Sequence, residues 1–226
     1  MATIADNLQQ VKARIGSARA LLGGAPEVTL LAVSKSQPVE ALRAALAAGQ
    51  KAFGENYVQE AVEKMNSLGE GLEWHLIGPL QSNKTRVVAE RFAWVQTVAS
   101  EKIAHRLSEH RPASLAPLNV LIQVNVSGES TKSGVRPDEV KALSQKIKDL
   151  KGVRLRGLMA IPEPGAPRDR YRSVKKLYES LKDECGFDTL SLGMSDDMEV
   201  AIAEGSTMVR IGTAIFGARR KHKSAA

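Results

Sequence analysis

A single cysteine, Cys185, stands in a chain of 226 residues. One thiol cannot close an internal disulfide, and no second thiol exists to build a zinc cluster. A reducing cytoplasm is the compartment such a chain suits. Aromatic residues make up only 4% of the sequence, so stacking platforms for nucleic-acid bases are scarce. Apolar runs are short: Val28 to Val33 is among the longest and falls far below the length that crosses a bilayer. The opening MATIADNLQQ has no basic start followed by an apolar stretch, so no secretory signal is visible. The histidines, His75, His105, His110 and His222, show no paired metal-ligand spacing. Cys185 lies inside a helical pattern without the surroundings of a catalytic thiol. GxSxG, Walker and GxGxxG motifs are missing as well, which removes the common hydrolase, P-loop and dinucleotide-binding classes.

What the chain does have is an excess of positive charge, +7 net. Much of it sits in the tail 219–226, with Arg219, Arg220, Lys221 and Lys223. A terminal charge run reads as a solvated tail before it reads as a binding patch. Basicity suits a small anionic ligand equally well. Neither nucleic acid nor membrane is therefore expected as a partner.

The hydrophobic share of 43% and the charged share of 25% are those of a globular domain. Ile4, Leu8, Val11, Ile15, Ala18 and Leu22 recur at three- and four-residue steps, which predicts an amphipathic helix over about 4–22. Gly23 and Gly24 are its expected stop. Beyond it, short apolar runs alternate with helical patterns. The runs are Val28–Ser34, Lys51–Gly54, Glu73–Gly78, Ala93–Thr97, Leu118–Val126, Val153–Ala160, Thr189–Leu192 and Met208–Ile211. Helical patterns include Val39–Ala48, Val58–Leu68, Ser100–Glu109, Asp138–Leu150, Arg170–Cys185 and Asp197–Glu204. Alternation of this kind implies βαβ units and a parallel sheet. About eight repeats at a spacing of roughly 25 residues match a closed (β/α)8 TIM barrel. The α/β alternative, an open doubly wound sheet, would carry a Gly-rich turn after its first strand, and here that strand ends in Val33-Ser34-Lys35-Ser36. The expectation is one barrel domain over 1–226 with an extra N-terminal helix and no second domain.

Barrel sites are built at the C-terminal ends of the strands. Lys35 follows the first run, and an amine at an apolar mouth can be held neutral by desolvation, the state that attacks an aldehyde. Its plain alternative is a surface lysine at a strand end. Asn56 and His75 close the second and third runs; singly, each reads as a turn or satisfied polar residue. Ser195 follows the seventh run, where it or Asp196 could cap the next helix, and Gly212 and Thr213 follow the eighth. Barrels frequently hold phosphate between the loops after strands seven and eight. A lysine on strand one with phosphate donors on those two loops is an arrangement suited to pyridoxal 5′-phosphate (PLP).

Six segments carry a more specific signal: LLAVSKSQP (30–38), FGENYVQEA (53–61), WHLIGPLQSNK (74–84), VNVSGESTKSG (124–134), LRGLMAIP (155–162) and LSLGMSDDMEVAIAEGSTMVRIGTAIFG (190–217). On them the chain resembles the pyridoxal phosphate homeostasis protein family, of YggS/PROSC type, over essentially its whole length. The resemblance implies a fold-type III, alanine-racemase-like barrel with PLP held as an aldimine on Lys35. It further implies Asn56 near the phenolic oxygen, His75 close to the ring, Met159 in the pocket wall and Arg210 facing the pyridine nitrogen. Ser195, Gly212 and Thr213 would hold the phosphate, and Lys132 would be the second lysine, linked to cofactor exchange. Gln37 departs from the frequent SKxK pattern, so no lysine stands there.

An arginine does not give up its proton and would keep the ring nitrogen unprotonated, which weakens the ring as an electron sink. Racemisation would also need a second base, which racemases of this fold take from an added domain. Tyr57, Tyr171 and Tyr178 are the only tyrosines here, and Tyr57 alone lies near a strand end. The expected role is a monomeric cytoplasmic carrier that binds and buffers PLP, with apo PLP-enzymes as its recipients. A small PLP-dependent amino-acid racemase is the alternative.

Overall fold

A computed structural model describes residues 2–23, 27–129 and 132–218. Gly24 and the basic tail 219–226 lie outside the described residues. The first helix, α1 (Ile4–Ala20), starts where expected because Thr3 and Asp6 form a reciprocal capping box. Its Leu8, Val11, Ile15 and Ala18 face inward, each larger one contributing roughly 1.5–3 kcal/mol on burial.

Eight parallel strands close in chain order: β1 (Thr29–Val33), β2 (Ala52–Glu55), β3 (Glu73–Leu76), β4 (Trp94–Val98), β5 (Leu118–Val124), β6 (Val153–Ala160), β7 (Thr189–Ser191) and β8 (Met208–Ile211). β8 pairs back onto β1 through Leu31 and Arg210. The barrel rather than the open sheet is thus the fold. Helices α2 (Val39–Ala47), α3 (Val58–Leu68), α4 (Thr85–Arg91), α5 (Glu101–His110), α6 (Val140–Ile147), α7 (Arg168–Cys185), α8 (Met198–Ala203) and α9 (Thr213–Phe216) follow the strands. Two of these depart from the sequence reading. α4, at seven residues, is not among the helical patterns, and α9, at four residues, falls in what reads as a phosphate loop.

The shortness of α9 explains the extra helix at the start. α1 packs on α8, α9 and α2, so it fills the place in the outer ring that α9 is too short to cover. Asn7 Nδ2 donates to the carbonyl of Ile215 at 2.9 Å, and Arg14 Nε pairs with Glu199 at 2.7 Å. These contacts tie the N-terminal helix to the elements on either side of β8.

Along each strand alternate residues face the barrel axis. Leu31, Trp94, Leu121, Met159 and Met208 form a compact apolar cluster inside, separate from the larger core between strands and helices. Gly157 fits no other residue: its φ is +147°, and an added Cβ would stand 1.9 Å from the carbonyl oxygen of Thr189 on β7.

Candidate functional site

Strand parity selects the first site residue. Leu31 points into the barrel, Val33 lines a recess at its mouth, and Lys35 is the next residue of the same parity. The strand stops at Val33, two residues earlier than Lys35, so the lysine sits in a tight turn rather than on β1 itself. The recess is lined by Val33, Lys35, Gln37, Gly212, Thr213 and Gly217. Gly212 can approach β1 because it lacks a side chain: a Cβ there would come 3.2 Å from the Val33 carbonyl oxygen.

The loops after β7 and β8 meet at Ala214, next to the Thr213 that lines this recess. The backbone N–H of Ala214 donates to Ser195 Oγ at 3.3 Å. Neither Ser195 nor Asp196 caps the following helix, contrary to the sequence reading; Asp197 occupies that position and makes no side-chain cap bond. Its carboxylate instead accepts the N–H of Met194 at 2.5 Å and the hydroxyl of Tyr171 at 2.5 Å. Asp197 therefore closes the 194–197 loop on itself and anchors it to α7. Burial, reinforced by this carboxylate, raises the Tyr171 phenol well above its ordinary range.

Arg210, 4% exposed, projects into the upper barrel interior. Its Nη1 donates to the carbonyl and hydroxyl of Ser191, at 2.8 and 2.7 Å, and its Nη2 to the carbonyl of Ala160 at 2.9 Å. Burial lowers its pKa to about 10, opposed by Asp197, and the group stays cationic at neutral pH. From Ser191 a hydrogen-bonded chain descends through the barrel. Ser191 Oγ donates to Gln96 Oε1 at 2.7 Å, Gln96 Nε2 stands 3.0 Å from His75 Nδ1, and His75 Nε2 stands 2.8 Å from Glu73 Oε1. Guanidinium groups only donate and the Glu73 carboxylate only accepts, and the bonds between them run in one direction. Ser191 Oγ accepts from Arg210 and donates to Gln96. That turns the amide nitrogen of Gln96 toward His75, whose proton lies on Nε2, toward Glu73.

The structure brings Lys35, Gly212 and Thr213 into one recess, with Ser195 joined to it, but places other expected residues elsewhere. His75 is fully buried, stacked on Trp94 with ring centroids 5.1 Å apart, and both its nitrogens have partners. Its Cα is in register with Gly54, itself paired with Val33, one pleat short of Lys35. It thus lies inside the barrel and reaches Arg210 through Gln96 and Ser191. Met159 is also fully buried, in the interior apolar cluster, and is not among the residues lining the recess. Asn56 occupies the bend after β2, half-buried, with its backbone against Gly78. Lys132 pairs with Glu129 at 2.8 Å and lines a different pocket, with Gln123, Asn125, Ile161 and Glu163 over β5 and β6. That is across the barrel from the β1–β8 recess of Lys35.

Several residues escaped the sequence reading. Gln96 and Ser191 lie within expected strands, where parity alone marks them as interior. Buried Lys64 bonds to Glu55, Glu60 and the carbonyl of Ser34 beneath the Lys35 turn. Glu60 and Lys64 stand four apart in a predicted helix, a spacing that normally signals a surface pair. Among the described residues no grouping of His, Cys, Asp and Glu could hold a metal ion, and no helix is long and apolar enough to cross a membrane.

Comparison with known proteins places this geometry in context. The family model of the alanine racemase N-terminal domain matches residues 6–220. A pyridoxal phosphate homeostasis protein of Pseudomonas aeruginosa is 57% identical, with 97% of each chain covered. One of Escherichia coli is 54% identical over 97% of this chain and 98% of its own. The structure of PipY from Synechococcus elongatus with PLP bound is 34% identical, with a TM-score of 0.84, 95% of this chain and 100% of that chain covered. An alanine racemase of Clostridium difficile shares the fold at 16% identity and a TM-score of 0.73; 93% of this chain matches 57% of that one.

Proposed function

The chain belongs to the pyridoxal phosphate homeostasis protein family, built on the alanine racemase N-terminal domain, and from that membership we propose that it binds PLP, with Lys35 as the covalent attachment point, and buffers and delivers it. The observation that carries this reading is the single recess in which Lys35 meets Gly212 and Thr213, with Ser195 joined to its rim. Bound there, PLP would supply an aldehyde that reacts reversibly with an amine. Lys35 would supply that amine, and the condensation would release one water and be reversible. The Gly212 backbone and the Ser195 and Thr213 hydroxyls are donors suited to phosphate oxygens.

Arg210 supports a carrier rather than an electron-sink catalyst. Held by Ser191 and Ala160, it is a fixed cation, and a cation facing the ring nitrogen keeps that nitrogen unprotonated. Asn56 belongs to this reading as a contact to the phenolic oxygen. His75 belongs to it as a residue close to the ring, joined to Arg210 through Gln96 and Ser191, Met159 as part of the pocket wall, and Lys132 as an exchange residue acting from a separate pocket. The role is assigned to a monomer in the cytoplasm, with apo PLP-enzymes as recipients.

The racemase alternative needs a second base. The Tyr171 hydroxyl is engaged by Asp197 and the Tyr178 hydroxyl by the carbonyl of Phe187, which leaves Tyr57, 61% exposed at the rim, as the tyrosine to test. The named relatives at 50–57% identity are homeostasis proteins.

The deciding experiment is the visible spectrum of purified protein loaded with PLP, wild type against Lys35→Ala, before and after borohydride. The expected result is a visible band in the wild type that borohydride bleaches while fixing the cofactor covalently to Lys35, and no such band or adduct in the variant. A wild type that cannot be loaded overturns the reading. Robust interconversion of alanine enantiomers would replace the carrier with the racemase.

A further inference from the structure

Two lysines come close to the turn at the end of β1. Lys35 lines the recess. Lys64, on α3, is buried, and its Nζ lies 2.7 Å from each of three oxygens: the Ser34 carbonyl, Glu55 Oε1 and Glu60 Oε1. Three acceptors take all three N–H bonds of an ammonium, so this nitrogen has no lone pair to offer an aldehyde.

The same carboxylates reach back to the chain on both sides of Lys35. Glu55 Oε1 accepts the hydroxyl of Ser34 at 2.6 Å, and Glu60 Oε1 accepts the backbone N–H of Ser36 at 2.6 Å. The residues before and after Lys35 are thus tied to one buried ammonium. Ser36 has φ of +60°, alone among the described non-glycine residues in having a positive value. A serine held in that region persists where its surroundings over-determine it. A buried ion pair seldom outperforms well-packed apolar residues, so stability alone is a weak reason for the cluster. One oxygen, Glu55 Oε2, is even buried with no partner in the structure.

We propose that Lys64, clamped by Glu55 and Glu60, is a positioning residue that sets the Ser34–Gln37 turn so that the Lys35 amine meets a carbonyl ligand in the recess. This rests on Lys35 being the attachment point.

The test uses full-length Lys64→Met, Glu60→Ala and Glu60→Gln. Glu60 is partly exposed, so its variants remain foldable even if Lys64→Met is not. Two readouts are taken. Backbone amide exchange of the 33–38 segment without cofactor reports the turn. Affinity for PLP relative to pyridoxamine 5′-phosphate, which has the same ring and phosphate but no aldehyde, reports the amine. In Glu60→Ala, exchange at Ser36 should rise and the PLP preference fall, each about tenfold, the scale of one charge-assisted hydrogen bond. Glu60→Gln, which keeps an acceptor for Ser36, should recover most of both. Faster exchange with an unchanged PLP preference would reduce the cluster to a purely structural role and overturn the proposal, as would wild-type behaviour in both readouts. Failure of the underlying reading looks different: the wild type itself would then show no preference for PLP over the amine analogue.

Discussion

Gln96 Nε2 stands 3.0 Å from His75 Nδ1, and that contact decides where the histidine keeps its proton. Reversing the Gln96 amide to meet a second proton on Nδ1 would turn its oxygen away from the Ser191 hydroxyl that it accepts from, the hydroxyl that also accepts from Arg210. A second proton on His75 would therefore break the chain that orients Arg210. Burial pushes the same way, lowering the His75 pKa from 6.5, with Glu73 opposing.

This gives a pH dependence of defined sign. The unfolded histidine takes up a proton near pH 6.5, while the folded one resists until lower pH. The unfolded state then holds more protons, so this contribution is complete above pH 6.5 and is lost as pH falls toward the folded value. Urea unfolding of wild type and His75→Phe between pH 7.5 and about 5 checks it. The stability gap between them should narrow on acidification; a gap constant across that range would contradict the bonding assigned here. At neutral pH the substitution keeps a ring against Trp94 but strands Gln96 and should cost about 1–3 kcal/mol.

Arg210→Lys keeps the charge and loses the fork. A lysine cannot reach the Ser191 carbonyl, the Ser191 hydroxyl and the Ala160 carbonyl in one plane. A destabilisation of about 2 kcal/mol is expected in denaturant unfolding, with a weaker affinity for PLP. Wild-type stability would show that the three bonds are not formed together.

Gly78→Ala tests the packing that fixes Asn56. A Cβ at Gly78 would stand 2.1 Å from the Asn56 carbonyl oxygen, and backbone on that side has little freedom to retreat. The expected cost is about 3 kcal/mol, the upper end for inserting a methyl group into a filled space. Differential scanning calorimetry reads the stability, and PLP titration should show weaker binding than in the wild type.

Tyr171→Phe removes the hydroxyl that anchors the 194–197 loop through Asp197. A stability loss of about 1 kcal/mol is expected, since Asp197 is only part-buried and water can replace the hydroxyl. The informative quantity is affinity for pyridoxamine 5′-phosphate, measured calorimetrically. A several-fold loss would tie the loop to phosphate binding, whereas unchanged affinity would separate the two.

The barrel was legible in the sequence because its signal is repetitive: eight apolar runs separated by helical patterns leave few alternatives. Lys35, Gly212 and Thr213 were legible for the same reason, since each follows an identifiable strand. Boundaries were less so. Lys35 reads as the end of a strand but stands in a turn, because the β1 pairing with β2 ends at Val33 and Gly54 and the chain then bends at Ser36. The cap expected at Ser195 or Asp196 belongs to Asp197, whose carboxylate is claimed by a tyrosine 26 positions earlier in the chain.

By itself, then, the sequence determined periodicity, and with it strand order, interior faces and the residues at each strand's end. Only the tertiary structure decided which polar groups share a hydrogen bond across the barrel. The path from Arg210 through Ser191 and Gln96 to His75 and Glu73 joins strands β8, β7, β4 and β3, and the clamp on Lys35 joins β1, β2 and α3. The reason is physical. Hydrophobic faces follow local spacing along the chain, whereas a buried donor takes whichever acceptor closure of the barrel sets beside it.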